Sequence, residues 1–262
     1  METLRTHWLT PDHGRDLLVV GPSLGTGVVA LWQECARRTA GLAEIDVLAW
    51  DLPGHGAGAP ATDGFTLEEL AEDVARAVHA ARPGVQDRWV HAGVSVGGAT
   101  GLHLAVAGAV RGSAVLCSGA KLGTAQSWGE RAATVRSSGT AVMVDGSRQR
   151  WFAPGIEDRL PAVTEALLDT LVAADDESYA LTCLALGQHD VREHLGQITV
   201  PVLLLGGAHD VVAPPEVQHE MARTIPEATV TILDDAAHLA PAEDPDGTAR
   251  ALTTWWSALG QA

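Results

Sequence analysis

Short apolar runs, recurring with helical patterns between them, restrict the fold of this chain more than any other feature of its sequence. Strands are predicted near Leu17–Gly21, Ile45–Trp50, Trp89–Val94, Ser113–Ser118, Val200–Gly206 and Thr229–Leu233. Several are continuously apolar, as strands covered by helices on both faces of a parallel sheet should be. The intervening helical patterns are clearest after Thr66. Thr66 and Glu69 have capping-box spacing, Phe65 and Leu70 fit a hydrophobic staple, and "LEELAEDVARAVHAA" repeats its apolar residues at helical spacing. The stretch "DGTARALTTWWSALG" reads as a closing helix, with Trp255 and Trp256 as core packing.

Between Lys121 and Gln188 no strand candidate occurs, and helical segments follow one another across "SSGT", "APG" and "AADDES". An all-helical cap over 121–188, inserted into an α/β core made of 1–120 and 189–262, is the expected organisation. The 262 residues, 46% hydrophobic, suffice for a sizeable core.

Composition excludes several function classes. A formal charge of −16 argues against nucleic acid, which requires clustered Lys and Arg. The apolar runs fall short of the roughly 18 to 20 residues of a membrane span, and "METLRTHWLTPDHGRD" is too polar for a signal peptide, so a cytoplasmic location is expected. Cys35, Cys117 and Cys183 are far apart and read as buried free thiols. His189, His194 and His209 lack metal-ligand spacing, so no metal is expected.

One strand hands over to its helix through "GVSVGG", a G-x-S-x-G turn that would hold the Ser95 hydroxyl above the sheet at a helix N-terminus. Serine is a poor nucleophile until a histidine takes its proton, and that histidine needs a carboxylate to fix its tautomer. In strand-turn-helix sites of this kind the order is Ser, acid, His. Asp210 follows "VPVLLLGG" at the C-terminal edge of the sheet, and His238 follows the last strand in "AAHLAP". Among alternatives, His219 lies inside a helical pattern, and Asp234 and Asp235 read as loop residues. The oxyanion donors are expected to be the backbone N–H groups of Val96, next to the nucleophile, and of Leu24 in "GPSLGTG".

With "GPSLGT", "WDLPGHG", "GVSVGG", "GGAHDVVAP" and "AAHLAP" in this order, the chain resembles the α/β-hydrolases over nearly its full length. The fold implied is a mostly parallel central sheet with helices on both faces and a helical cap. The cap segments "SWGERAATVRSSG", "RWFAP" and "YALTCLAL" are similar to the 3-oxoadipate enol-lactone hydrolases of the β-ketoadipate pathway. That resemblance implies Ser95, Asp210 and His238 as catalytic triad, Leu24 and Val96 as oxyanion hole, and Trp128, Arg131 and Trp151 as substrate-binding residues. It implies no cofactor and a small anionic lactone as substrate. Two departures stand out. The segment before Leu17 is short enough for an N-terminal strand to be missing, and Pro22 replaces the histidine or asparagine usual beside the oxyanion loop.

Charge points the same way as the resemblance. From Lys121 to Pro154 five basic residues face two acidic ones, whereas from Gly155 to Gln188 one faces seven. The basic half of the cap suits a substrate carboxylate. Alternatives that keep the triad are a carboxylesterase, a C–C bond hydrolase, a cofactor-free perhydrolase, and a non-catalytic ligand receptor.

Overall fold

The computed structural model describes residues 4–85 and 89–259; residues 1–3, 86–88 and 260–262 of the expected core, Gly260 of the closing helix among them, lie outside them. Seven strands form one sheet: β1 (Thr6–Trp8), β2 (Asp16–Gly21), β3 (Ile45–Trp50), β4 (Trp89–Val94), β5 (Gly112–Leu116), β6 (Val202–Gly207) and β7 (Ala228–Leu233). Their order is β1-β3-β2-β4-β5-β6-β7, in which β1 runs antiparallel to β3 and the other described pairs are parallel. All six predicted strands are present, with ends moved by a residue or two. β5 stops at Leu116 because Cys117 turns to φ 48°. β6 opens just after Pro201, which has no N–H for the ladder.

An N-terminal strand is not missing. β1 occupies three half-buried residues, pairing Thr6 with Trp50 and Trp8 with Leu48 at the sheet edge. Three residues without alternating burial carry too little pattern to be read from sequence.

Helices α1 (Val28–Leu42), α2 (Leu67–Ala81) and α3 (Val96–Val106) join successive strands. At the start of α2 the Thr66 hydroxyl accepts the Glu69 N–H at 3.1 Å, and the Glu69 carboxylate accepts the Thr66 N–H at 2.8 Å. Phe65 and Leu70 are both buried beside this box. Between β5 and β6 come α4 (Ala125–Ser138), α5 (Val144–Trp151), α6 (Ile156–Arg159), α7 (Pro161–Ala173) and α8 (Asp176–Gln188), with no strand among them. α4 packs chiefly on α8. The chain then continues through α9 (Pro215–Ala222), the single turn α10 (Ala240–Glu243) and α11 (Pro245–Leu259), which packs on α1. Trp255 is buried, and Trp256 lies under the Arg111 guanidinium at 5.7 Å.

Arg82, just beyond α2, fastens the antiparallel edge. Its guanidinium donates to buried Asp46 on β3 at 2.6 Å, pairs with Asp12 and lies 4.9 Å above the Trp8 ring. Burial pushes the Asp46 carboxyl up, yet Arg82 and the N–H groups of Arg15 and His13 outweigh it and hold the group below its ordinary value. Arg82→Met leaves that buried charge without its cation, so a loss of about 3 kcal/mol is expected in urea unfolding at pH 7. A carboxylate with a lowered native value contributes stability that is present above its unfolded value and lost in acid. The gap between wild type and variant therefore closes as pH falls below about 4.

Candidate active site

Ser95 sits at the turn from β4 into α3 with φ 55° and ψ −115°, a conformation that strains any side-chain-bearing residue. Surrounding hydrogen bonds hold it there. Its N–H donates to Leu116 O at 2.9 Å, and its carbonyl accepts the Ser118 hydroxyl at 2.7 Å and the Ala99 N–H at 2.8 Å. The neighbouring glycines are a steric requirement. A Cβ on Gly93 would lie 2.3 Å from the Gly97 carbonyl carbon, and one on Gly97 would lie 2.6 Å from Pro22 O. Backbone therefore meets backbone on both sides of the serine, which explains the spacing "GVSVGG".

Asp210 and His238 come from the loops after β6 and β7. The His238 Nδ1–H donates to Asp210 Oδ2 at 2.9 Å, and both side chains are buried. The second carboxylate oxygen accepts the N–H groups of Val212 at 2.7 Å and Ala213 at 3.1 Å. Burial pushes the Asp210 carboxyl up, but His238 and these two donors outweigh it and bring the group below its ordinary value. Asp210 is thus ionised at neutral pH and fixes the tautomer that leaves His238 Nε2 free to accept a proton.

Ser95, His238 and Leu24 line one cavity of about 210 Å³. Val96 follows Ser95 as the first residue of α3, where an N–H has no intrahelical partner. The roof comes from the helical insertion: Trp128 and Arg131 of α4, Arg150 and Trp151 of α5, and Tyr179 of α8. The three insertion residues singled out in the sequence, Trp128, Arg131 and Trp151, thus meet at the same cavity as Ser95. His219 is exposed on α9, and Asp234 and Asp235 are exposed on the loop after β7.

The cations of the basic stretch divide into two groups. Lys121 pairs with Asp190, Arg136 with Glu177 and Arg148 with Glu157. Arg131 and Arg150 line the cavity instead, and among the described residues neither has an acidic partner. Arg131 stacks 5.0 Å above the Trp128 ring and lines the cavity beside Tyr179, whose ionisation burial pushes up to about 12. Burial and then the nearby Arg131 charge pull Arg150 below its ordinary value, though a guanidinium remains charged at any working pH. Two cations that face one cavity and have no counter-ion among the described residues can hold an anion between them. In the sequence Arg131 stands out by resemblance, and Arg150 is only one of the five basic residues of 121–154. The partners of the other cations lie up to 69 residues away, so the unpaired ones become visible only once the chain is folded.

The family model described as serine aminopeptidase S33 matches residues 33–245. 3-Oxoadipate enol-lactonase 2 of Acinetobacter baylyi is 32% identical over 234 residues, covering 88% of this chain and 85% of that protein. A pimeloyl-[acyl-carrier protein] methyl ester esterase of Vibrio cholerae is 26% identical, covering 90% of this chain and 92% of its own. The crystal structure of an enol-lactonase from Burkholderia xenovorans superposes with a TM-score of 0.87 at 30% identity, over 97% of this chain and 96% of that one. By its sheet, its family match and these relatives, the chain belongs to the α/β-hydrolase family and is a hydrolase.

Proposed function

We propose that this chain hydrolyses a small enol-lactone bearing a carboxylate, 3-oxoadipate enol-lactone, to 3-oxoadipate. The observation that carries this reading is the pair of guanidiniums, Arg131 and Arg150, that roof the cavity of Ser95 and His238 and have no acidic partner among the described residues. Similarity to enol-lactonases supports the choice of lactone. The helical segment 121–188 serves as the cap, and its arginines seat the substrate carboxylate while the lactone carbonyl faces Ser95.

In the reaction His238 Nε2 takes the Ser95 proton as Oγ attacks the lactone carbonyl carbon. The N–H groups of Leu24 and Val96 hold the negative charge of the tetrahedral oxygen. Collapse breaks the ring C–O bond, His238 returns the proton to the departing enol oxygen, and an acyl-enzyme remains. The freed enol ketonises within the acyl chain, which opposes ring closure. Water, deprotonated by His238, then attacks the acyl carbon, and Ser95 leaves with the proton. Asp210 orients the imidazole and offsets its positive charge throughout.

A substrate panel tests the reading. A kcat/KM for the enol-lactone, followed by its ultraviolet absorbance, should exceed that for neutral 4-nitrophenyl esters by at least about 100-fold. A preference for neutral esters would point to a general carboxylesterase; activity confined to C–C bond cleavage or to peracid formation would point to those chemistries. Arg131→Met should raise KM for the lactone by roughly 10- to 100-fold, as loss of a charge-assisted hydrogen bond requires, with little change for neutral esters.

A further inference from the structure

Glu243, the last residue of α10, is a buried carboxylate that the chemistry above does not use. Its Oε1 accepts the N–H of Ala237 at 3.1 Å and of Leu239 at 3.0 Å, the two residues that flank His238. Its Oε2 accepts the N–H of Ala153 at 2.7 Å. Ala153 lies two residues beyond Trp151, which lines the cavity. The His238 N–H in turn donates to Trp151 O at 3.1 Å, and the Cys117 thiol donates to Ala237 O at 3.3 Å. The N–H groups of Ala237, His238 and Leu239 are thus all tied, and the Glu243 side chain accepts two of the three.

We infer that Glu243 is a positioning residue, which sets the His238 imidazole relative to Ser95 and locks it to the cavity wall that carries Trp151. The inference deepens the triad reading and rests on it. A carboxylate suits this place because three N–H donors converge and only an acceptor on both oxygens satisfies them. Burial pushes the Glu243 carboxyl up to about 7 against the pull of these donors and of His238. The two oxygens also divide the work. Oε1 serves the histidine loop, and Oε2 serves the cavity wall.

That division makes the variants informative. In Glu243→Gln the amide oxygen can keep both bonds of Oε1, while its NH₂ faces the Ala153 N–H and breaks that tie. In Glu243→Ala both arms are lost. The probes are 4-nitrophenyl acetate, which reads the relay alone, and mono-4-nitrophenyl adipate, which adds a carboxylate for the cavity. The burst of 4-nitrophenol counts the competent sites. Per competent site, Glu243→Ala should lose about 100-fold in kcat on both esters, the scale of an ångström-sized misplacement. Glu243→Gln should keep kcat within about threefold and raise KM for the adipate ester about tenfold, leaving KM for the acetate unchanged.

A purely structural role predicts otherwise: fewer competent sites in both variants, with kcat and KM per site as in wild type. That outcome overturns the inference, as does a Glu243→Gln protein with wild-type constants on both esters. Should Glu243→Ala fail to fold, the Gln variant decides alone. Failure of the triad reading has a separate signature, since Ser95→Ala would then hydrolyse both esters as fast as wild type.

Discussion

Ser95→Ala is expected to lower kcat by at least about 10⁴-fold while leaving the fold intact. The alanine removes the only atom that bonds to the acyl carbon, and what remains is binding plus the oxyanion donors, which together give some 10³- to 10⁴-fold over water. The backbone at position 95 stays at φ 55° whether the residue is serine or alanine, so the strain is unchanged and circular dichroism should match wild type. His238→Ala should lose a similar factor. The double variant should lose little more than either one, because the two side chains act as a unit.

Asp210→Asn should lower kcat by roughly 10³- to 10⁴-fold. The asparagine fits the same space, and its carbonyl oxygen can accept the N–H groups of Val212 and Ala213, which now bond one carboxylate oxygen. Its NH₂ then faces His238 Nδ1 and turns that nitrogen from donor to acceptor. The proton moves to Nε2, the atom that must accept from Ser95, and the imidazolium loses its counter-charge. Because the defect is a misplaced proton, activity should recover partly at high pH, where hydroxide can deprotonate the nucleophile, and Asp210→Ala should show a similar loss without the well-defined imidazole orientation. Steady-state rates from pH 6 to 10 with a neutral ester check this.

Local chemistry decided what was legible in the sequence. Three glycines around one serine mark the turn because no side chain fits there, and the clash of a Gly93 Cβ with the Gly97 carbonyl carbon is the physical form of that signal. Asp210 and His238 were legible because each lies in the loop that follows a strand, at the edge where a parallel sheet exposes its loops. The start of α2 was legible because Thr66 and Glu69 satisfy each other within one turn.

What stayed hidden depends on contacts between distant segments. β1 is three residues long and owes its conformation to pairing with β3 and to Arg82, 74 positions beyond the tryptophan it covers. Nothing in the sequence marks Glu243, whose carboxylate joins the loop around His238 to Ala153, 90 residues earlier. The basic stretch of the insertion was visible as a charge count, but Arg136 is neutralised by Glu177, 41 residues on, while Arg131 and Arg150 line the cavity of Ser95. Charge in the sequence thus becomes a site only after folding has matched most cations with acids.

Rapid-quench mass spectrometry of the wild-type protein during enol-lactone turnover tests the central claim most directly. Mass added equal to one ring-opened lactone, mapped to the peptide that carries Ser95 and formed at a rate no slower than kcat, is the predicted result. Efficient turnover with no adduct at that serine, or with one on another residue, would contradict it.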